Sequence, residues 1–434
     1  MPYTTDVFMS WPTTFPTWDA LKAWLTSEEG GLLRIVEPRE SPFALVRYTR
    51  GKSNFALPHV RWCRSVVVEK ATRLPVCISP AKSYDLTESS ANDAVVAEEL
   101  VDGTMMNIFN AGSADSVYLA TRSRLNADTN FYENGPTFAS MLQDALTAQN
   151  LEDASVLVQE DSRAFTSIVL QHPANRIVYN VTSPSFTVIH QGVVAEDGRV
   201  TIEETPANFR FVGAGDLTNW FPPSYTLAAI RGAKSVESWV STYAQKTGFR
   251  WQGLVLKDGQ GKRWRLRSEV YETVRRIRGN EATTEERFAR LRKTRSVDQY
   301  LAFFPEDREA LYELEGRFRK NTRQLFQFYA DVFRARTTQF YQLPWPYKHH
   351  VSVLHNLFKD FLRSQKKKID LNEVIQYTNG LSLEDTANMS KVHTLTLRSA
   401  DPSAPLGAPL GATAPLDAPL DAPLGASATV EVAA

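Results

Sequence analysis

The stretch AEELVDGTMMNIF, residues 97–109, carries the first group of residues able to do chemistry. Asp102 and Gly103 make a turn pair, entered from Glu98 and Glu99 and left through an apolar run. Amines stand elsewhere, at Lys82 and at Lys257 after the apolar run GLVL. Arg275, Arg276 and Arg278, followed by RFARLRKTR, form a local basic stretch that Glu281, Glu285 and Glu286 partly offset. Such a stretch serves either as an RNA-contacting surface or as a salt-bridged helix face. SQKKK at 364–368 poses the same choice, its alternative being a helix end whose cations suit the dipole. His172, in QHPANR, reads as a turn or hydrogen-bonding histidine at a strand end. His349, His350 and His355 lack the Cys or carboxylate neighbours that a metal centre needs.

These groups need a scaffold, and the sequence divides into segments of different texture. At 1–35, an N-terminal helical or irregular segment includes TWDALKAWLTSEEGGLLRI. There Trp18, Leu21, Trp24 and Leu25 fall at helical spacing, and Gly30–Gly31 is expected to stop the helix. From 36 to 278 short β-rich runs dominate: SVVVE, LPVCIS, MMNIF, SVYLATR, SIVLQ, RIVYNV, FTVIHQGVV, GRVTIE and GLVLKD. NGPTFASMLQDALTAQ and VESWVSTYAQKTG read as helices among them. Strands in this number, with helices interspersed but not alternating, indicate an α+β domain of antiparallel sheets. From 279 to 395, apolar residues recur every three or four positions, as an all-α domain requires. Five APL(G/D) units fill much of 396–434. A Pro/Ala/Leu/Gly repeat with no aromatic residue reads as a disordered tail.

Bulk composition excludes several classes. Lys+Arg and Asp+Glu balance at 49 each in 434 residues, so any nucleic-acid surface must be a local patch. Cys63 and Cys77 are too few for a disulfide scaffold and read as buried thiols. No apolar run approaches the length of a membrane span, and the N-terminus lacks the basic and apolar regions of a signal peptide. The expectation is a soluble, intracellular protein with no membrane partner.

RWCRSVVVE, PAKSYDL, LVDGT, YLATRSR, HPANRIV, WQGLVLKD and RWRLRSEVY follow one another along the chain. In that order they resemble the blocks of the phage-type ATP-dependent RNA ligases, a family of T-even phages and large DNA viruses. The resemblance covers about residues 40–275. Gln252 stands thirteen places before Arg265, and Leu100 twenty-two before Arg122, gaps like the family's. It implies a nucleotidyltransferase domain at 36–278 and a helical module at 279–395 that helps choose the RNA. It also implies ATP and Mg²⁺ as cofactors, RNA as partner and a viral origin.

In that family a lysine two places before the aspartate attacks the α-phosphate of ATP, giving lysyl-AMP and pyrophosphate. AMP then passes to an RNA 5′-phosphate and is displaced by a 3′-hydroxyl. Here the lysine position is Leu100, a hydrocarbon without a lone pair. The glutamate expected before the Pro-x-Asn-Arg segment falls at Val169, with Gln171 nearby, and the Glu of the Glu-Gly segment is Gln252. The last block's two lysines are Arg265 and Arg267, which still grip phosphate. Arg64, Lys82, Tyr84, Asp102, Gly103 and Arg122 match binding positions of the family. The resemblance therefore implies a degenerate ligase, one that holds nucleotide or RNA phosphates without being adenylylated. Two alternatives are a working ligase with a relocated nucleophile, Lys82 or Lys257, and a structural scaffold that keeps only the fold. Incubation with α-labelled ATP and Mg²⁺ is expected to leave no acid-labile, phosphoramidate-linked label on the denatured protein. Stoichiometric labelling on any lysine would favour the relocated nucleophile.

Overall fold

The computed structural model describes residues 2–392 except 87, 113–116, 132–134, 159–162, 205–208, 210 and 212–218. The repeat tail at 396–434 lies outside the described residues. The chain forms two compact units that divide between Arg276 and Ile277.

The first unit is α+β and contains three sheets. A six-stranded antiparallel sheet runs β1 (Tyr3–Thr5), β12 (Val200–Glu203), β11 (Ser185–Val194), β10 (Ala164–Gln171), β8 (Thr104–Asn110) and β9 (Val117–Thr121). A four-stranded sheet runs β6 (Ser83–Asp85), β14 (Arg263–Arg267), β13 (Gly253–Lys257) and β7 (Val96–Glu99), antiparallel except for the parallel β14–β6 pair. The third joins β2 (Arg34–Val36), β3 (Phe43–Arg47), β4 (Val66–Glu69) and β5 (Pro75–Ile78), all antiparallel. Residues 1–35 are built into this unit. β1 edges the large sheet, and α1 (Trp11–Thr14) and α2 (Trp18–Thr26) bury Trp11, Leu21 and Leu25 in the core of the third sheet. Thr17 caps α2 by accepting the Ala20 N–H at 3.2 Å. The helix ends at Thr26, before Gly30–Gly31, because the Ser27 N–H and hydroxyl both turn back to the Trp24 carbonyl.

Strand period two decides which face each side chain meets. On β8 and β10, Met106, Ile108, Ile168 and Leu170 pack against α4 (Phe138–Thr147) through Met141, Leu142 and Ala145. On β13 and β14, Leu254, Leu256 and Trp264 join a core with Val236, Val240 and Ala244 of α6 (Val236–Thr247). Arg263, Arg265 and Arg267 alternate with Trp264 and Leu266, so all three are offered to the opposite face. Short helices α3 (Glu88–Asp93) and α5 (Leu227–Arg231) complete the covering, and α7 (Glu269–Arg278) follows β14.

RIVYNV, expected as a strand, is not one: after Asn175 the chain bends through Val178 and Tyr179. The reason lies in its donors. The Val178 and Tyr179 N–H groups go to the Asp102 carboxylate, at 3.1 and 3.0 Å, instead of to a neighbouring strand.

The second unit is helical: α8 (Thr284–Thr294), α9 (Val297–Leu301), α10 (Arg308–Ala330), α11 (Trp345–Leu357), α12 (Leu371–Asn379) and α13 (Leu383–Lys391). α8 opens with a reciprocal capping box between Thr283 and Glu286. α10 and α11 each end in a wider π turn, at Asp331–Ala335 and Phe358–Leu362. Leu325, Phe328, Leu343, Tyr347, Val351 and Leu354 pack as its core. Among the described residues no helix is long and apolar enough to cross a membrane.

One glycine is indispensable to the second sheet. Gly253 opens β13 at φ 148°, and a Cβ there would lie 2.2 Å from the Leu266 carbonyl oxygen and 2.8 Å from the Arg267 Cα. Gly253→Ala is expected to lower stability by about 2–4 kcal/mol, read as a fall in the urea midpoint. Gly259→Ala, where a Cβ meets nothing within 4 Å, should leave the midpoint nearly unchanged.

Candidate functional site

The six-stranded and four-stranded sheets meet across a set of charged side chains. Lys257, 1% exposed, places its ammonium 2.6 Å from Glu98 Oε1 and 3.1 Å from Glu204 Oε2. Arg263 Nη1 lies 3.2 Å from Glu204 Oε1, and its Nη2 lies 3.9 Å from Glu98 Oε1. Tyr3 donates its hydroxyl to Glu204 at 3.2 Å, which ties β1 to the same cluster. Burial alone would raise the Glu204 carboxyl, but Lys257, Arg263 and His190 hold it down at about 2. His190 is fully buried, which pushes its pKa down to about 3. Its Nε2–H donates to the Ile78 carbonyl at 3.0 Å, and the same nitrogen lies 2.9 Å from Ser167 Oγ. Ser167 donates in turn to Asn107 Oδ1 at 2.7 Å.

Farther along β14 the balance turns positive. Arg64, on the turn before β4, feels Arg122, Arg263 and Arg265 at once. Burial first, and then these three cations, bring its pKa down to about 10, against the opposing influence of Tyr48. Lys82 is half-buried, its ammonium 4.2 Å from the centre of the Phe55 ring and 4.7 Å from that of Tyr84. Its pKa is lowered by burial and then by Arg265 and Arg50, with Asp85 opposing. Arg267 pairs with Glu272 at 2.9 Å, and its pKa is lowered by burial, Arg275 and Arg265. Neither Arg64 nor Arg265 forms an ion pair with a described carboxylate. The fold thus brings together Arg64, Lys82, Arg122, Arg265 and Arg267, five of the cations singled out in the sequence. Tyr84 joins this group through Lys82, while its ring also packs against the core that holds Leu86 and Trp264, on the sheet face that Arg265 does not share.

At the end of β7 the Leu100 N–H donates to the Gly253 carbonyl at 2.9 Å. Gln252 sits beneath this corner. Its amide NH₂ donates to the Leu100 and Val101 carbonyls at 3.1 and 2.9 Å, and its oxygen accepts from Arg267 Nε at 3.3 Å. Asp102 is turned to backbone and core: besides the Val178 and Tyr179 N–H groups it accepts the Tyr271 hydroxyl at 2.7 Å. Gly103, at φ 157°, leaves room where a Cβ would meet the Leu170 carbonyl at 2.5 Å and Val169 at 2.6 Å. Val169 is buried beside it, and Gln171 donates to the Asp102 carbonyl at 2.8 Å.

These residues fit phosphate oxygens but not a divalent cation. Gln252 and Val169 carry no carboxylate, and no group of three or more His, Cys, Asp or Glu among the described residues is placed to hold a metal. Lys257, weighed as a relocated amine, has its charge engaged by Glu98 and Glu204. His172 caps a single turn by accepting the Ala174 N–H and lies 3.2 Å from Asp144. His350 bonds Tyr377, whereas His355 stacks on Phe333, so the two have separate surroundings. The basic helix α8 is salt-bridged: Arg287 to Asp307, Arg290 to Glu281 and Arg292 to Glu315. Arg275 pairs with Glu272 at 3.6 Å, Arg276 turns back to the Glu272 carbonyl, and Arg278 is buried over Phe304. Cys63 and Cys77 are buried and unlinked, their thiols pushed up by burial.

Sequence reasoning missed His190, Glu204 and Arg263, and it noted Glu98 without its partners. The alternation in RWRLR was a sufficient signal for Arg263, which must share a face with Arg265. Glu204 had no signal, since its partner Lys257 is remote in sequence and joined to it only by the fold. No family model and no curated protein matches this chain.

The buried cluster sets the acid response. His190 and Glu204 both have folded pKa values below their ordinary 6.5 and 4.5. The unfolded chain therefore takes up these protons first, and stability falls as pH drops. Stability is expected to hold above pH about 6.5 and then decline toward pH 3, with His190 alone contributing a slope of about 1.4 kcal/mol per pH unit. His190→Gln should flatten the part between pH 6.5 and 4.5 in a series of melting curves. An unchanged slope would show that His190 is not the proton acceptor.

Proposed function

We propose that the first unit binds the phosphates of a nucleotide or an RNA end and does not transfer AMP. The reading rests on the convergence of Arg64, Arg122, Arg263 and Arg265, of which Arg64 and Arg265 have no described carboxylate partner. Guanidinium groups gathered in this way repel one another, at a cost on the order of 1–3 kcal/mol per close pair. A bound phosphate removes the repulsion and accepts charge-assisted, often bidentate, hydrogen bonds. The resemblance to the phage-type RNA ligases supports RNA and ATP as the phosphate source. Leu100, Val169 and Gln252 supply neither an attacking amine nor a metal-binding carboxylate, so the unit acts as a holder of phosphate.

The test is fluorescence anisotropy with a short single-stranded RNA bearing a 5′-phosphate or a 5′-hydroxyl, repeated with ATP as competitor and over a salt series. The phosphorylated RNA is expected to bind more tightly, and affinity should fall as salt rises. Arg64→Ala or Arg265→Ala should each weaken binding by about tenfold or more and reduce the salt slope by about 0.7. Unaltered affinity in both variants would leave a scaffold role. ATP-dependent sealing of the RNA would restore the reading as an enzyme.

A further inference from the structure

The second unit holds three aromatic rings in solvent within six residues. Phe340 is 39% exposed, Tyr341 57% and Trp345 76%. Their backbone is firmly built. Gln339 and Gln342 cap one another reciprocally around a single 3₁₀ turn, Leu343 N–H bonds to Phe340 O, and Tyr347 N–H bonds to Pro344 O. Leu343 and Tyr347 anchor the segment in the helical core. Rings fixed this way lose little entropy when something covers them.

We propose that the occupant is the proline-rich repeat of the same chain, residues 402–418, PSAPLGAPLGATAPLDA. The first support is where the described chain ends. Val392 packs on the same core as Leu343 and Tyr347, and Asn321 donates to the Val392 carbonyl at 2.8 Å. Asn321 also accepts the Tyr347 hydroxyl at 3.1 Å, which leaves two hydrogen bonds between the chain's exit and a residue two places from Trp345. The thirteen residues from Val392 to Pro405 span at most about 45 Å when extended.

The second support is chemical fit. Pro405, Pro409 and Pro415 are each followed by leucine. Such a sequence favours the polyproline II conformation, whose prolines dock on aromatic rings at low entropic cost. The third is charge. After Arg398 the chain has no Lys or Arg, but has Asp401, Asp417, Asp421 and Glu431. The ring-bearing segment starts from a basic surface. Arg336, Arg363 and Lys366 to Lys368 are exposed, and Arg334 donates to the Ile369 carbonyl, which places the lysine run beside the start of that segment. The tail thereby covers the rings and offers carboxylates to the adjoining cations.

The experiment uses the full chain. Because Cys63 and Cys77 are buried, a Gly411→Cys variant can be labelled selectively with an oxazine dye, which tryptophan quenches on contact. The dye is expected to be dim, to brighten about twofold or more when Trp345→Ala is added, and to brighten partly in 1 M NaCl, where screening is strong. Quenching should be independent of protein concentration. Trp345 is largely exposed, so its removal leaves the helical core intact. Equal brightness with and without Trp345 overturns the proposal, and quenching that grows with concentration assigns the contact to a second copy's tail instead. If Trp345→Ala leaves the dye unchanged but abolishes binding of oligouridylate, the rings serve RNA and the proposal fails.

Discussion

Two sheets of the first unit are held together by charge. Glu98 on β7 and Glu204 beyond β12 take Lys257 and Arg263 of β13 and β14 between them. Two buried carboxylates cost several kcal/mol each to desolvate, and only two cations in good geometry offset that. The quartet is a dependency more than a surplus of stability. Removing any one member leaves another charge buried without its partner, a loss of about 3–5 kcal/mol. Tyr3, from the edge strand β1, and His190 both reach Glu204 in this neutralised group.

The neutral quartet also explains why the positive charge is concentrated where it is. Arg263, Arg265 and Arg267 project from one face of one strand, but only the first is balanced by the quartet and the last by Glu272. Arg265 stands between them beside Arg64, so the uncompensated charge on β14 falls at its middle, flanked by two paired arginines. A protein with no net charge thereby acquires a local field suited to an anion, which a bulk count of charged residues does not reveal.

Period two and period 3.6 made most elements legible in the sequence. The apolar strands VVV, MMNIF and GLVLK, and the long helices of the second unit, follow directly from them. The failures have specific physical causes. RIVYNV has β-forming residues, yet an aspartate remote in sequence takes its N–H groups. β1 is three residues long and exists because Val200–Glu203 offers it a partner. In the site, cations of one type on one strand were visible, whereas the carboxylates that pair with some of them were not. Long-range pairing leaves no local pattern. Tyr84 depends on the fold in the same way: β6 pairs parallel to β14, which sets its ring between Lys82 and the core around Trp264.

The side-chain amide at Gln252 ties three parts of its corner together. Its two hydrogens are directed at the Leu100 and Val101 carbonyls, while its oxygen receives Arg267. A carboxylate in the same seat would confront two oxygens with nothing to share between them, and the corner would have to reopen to admit it. Loop path, amide and guanidinium are mutually conditional, so that a change at one position is penalised unless the others move as well. Paired substitutions at this corner therefore depart from the sum of their single effects, because each member sets the cost of altering its neighbour.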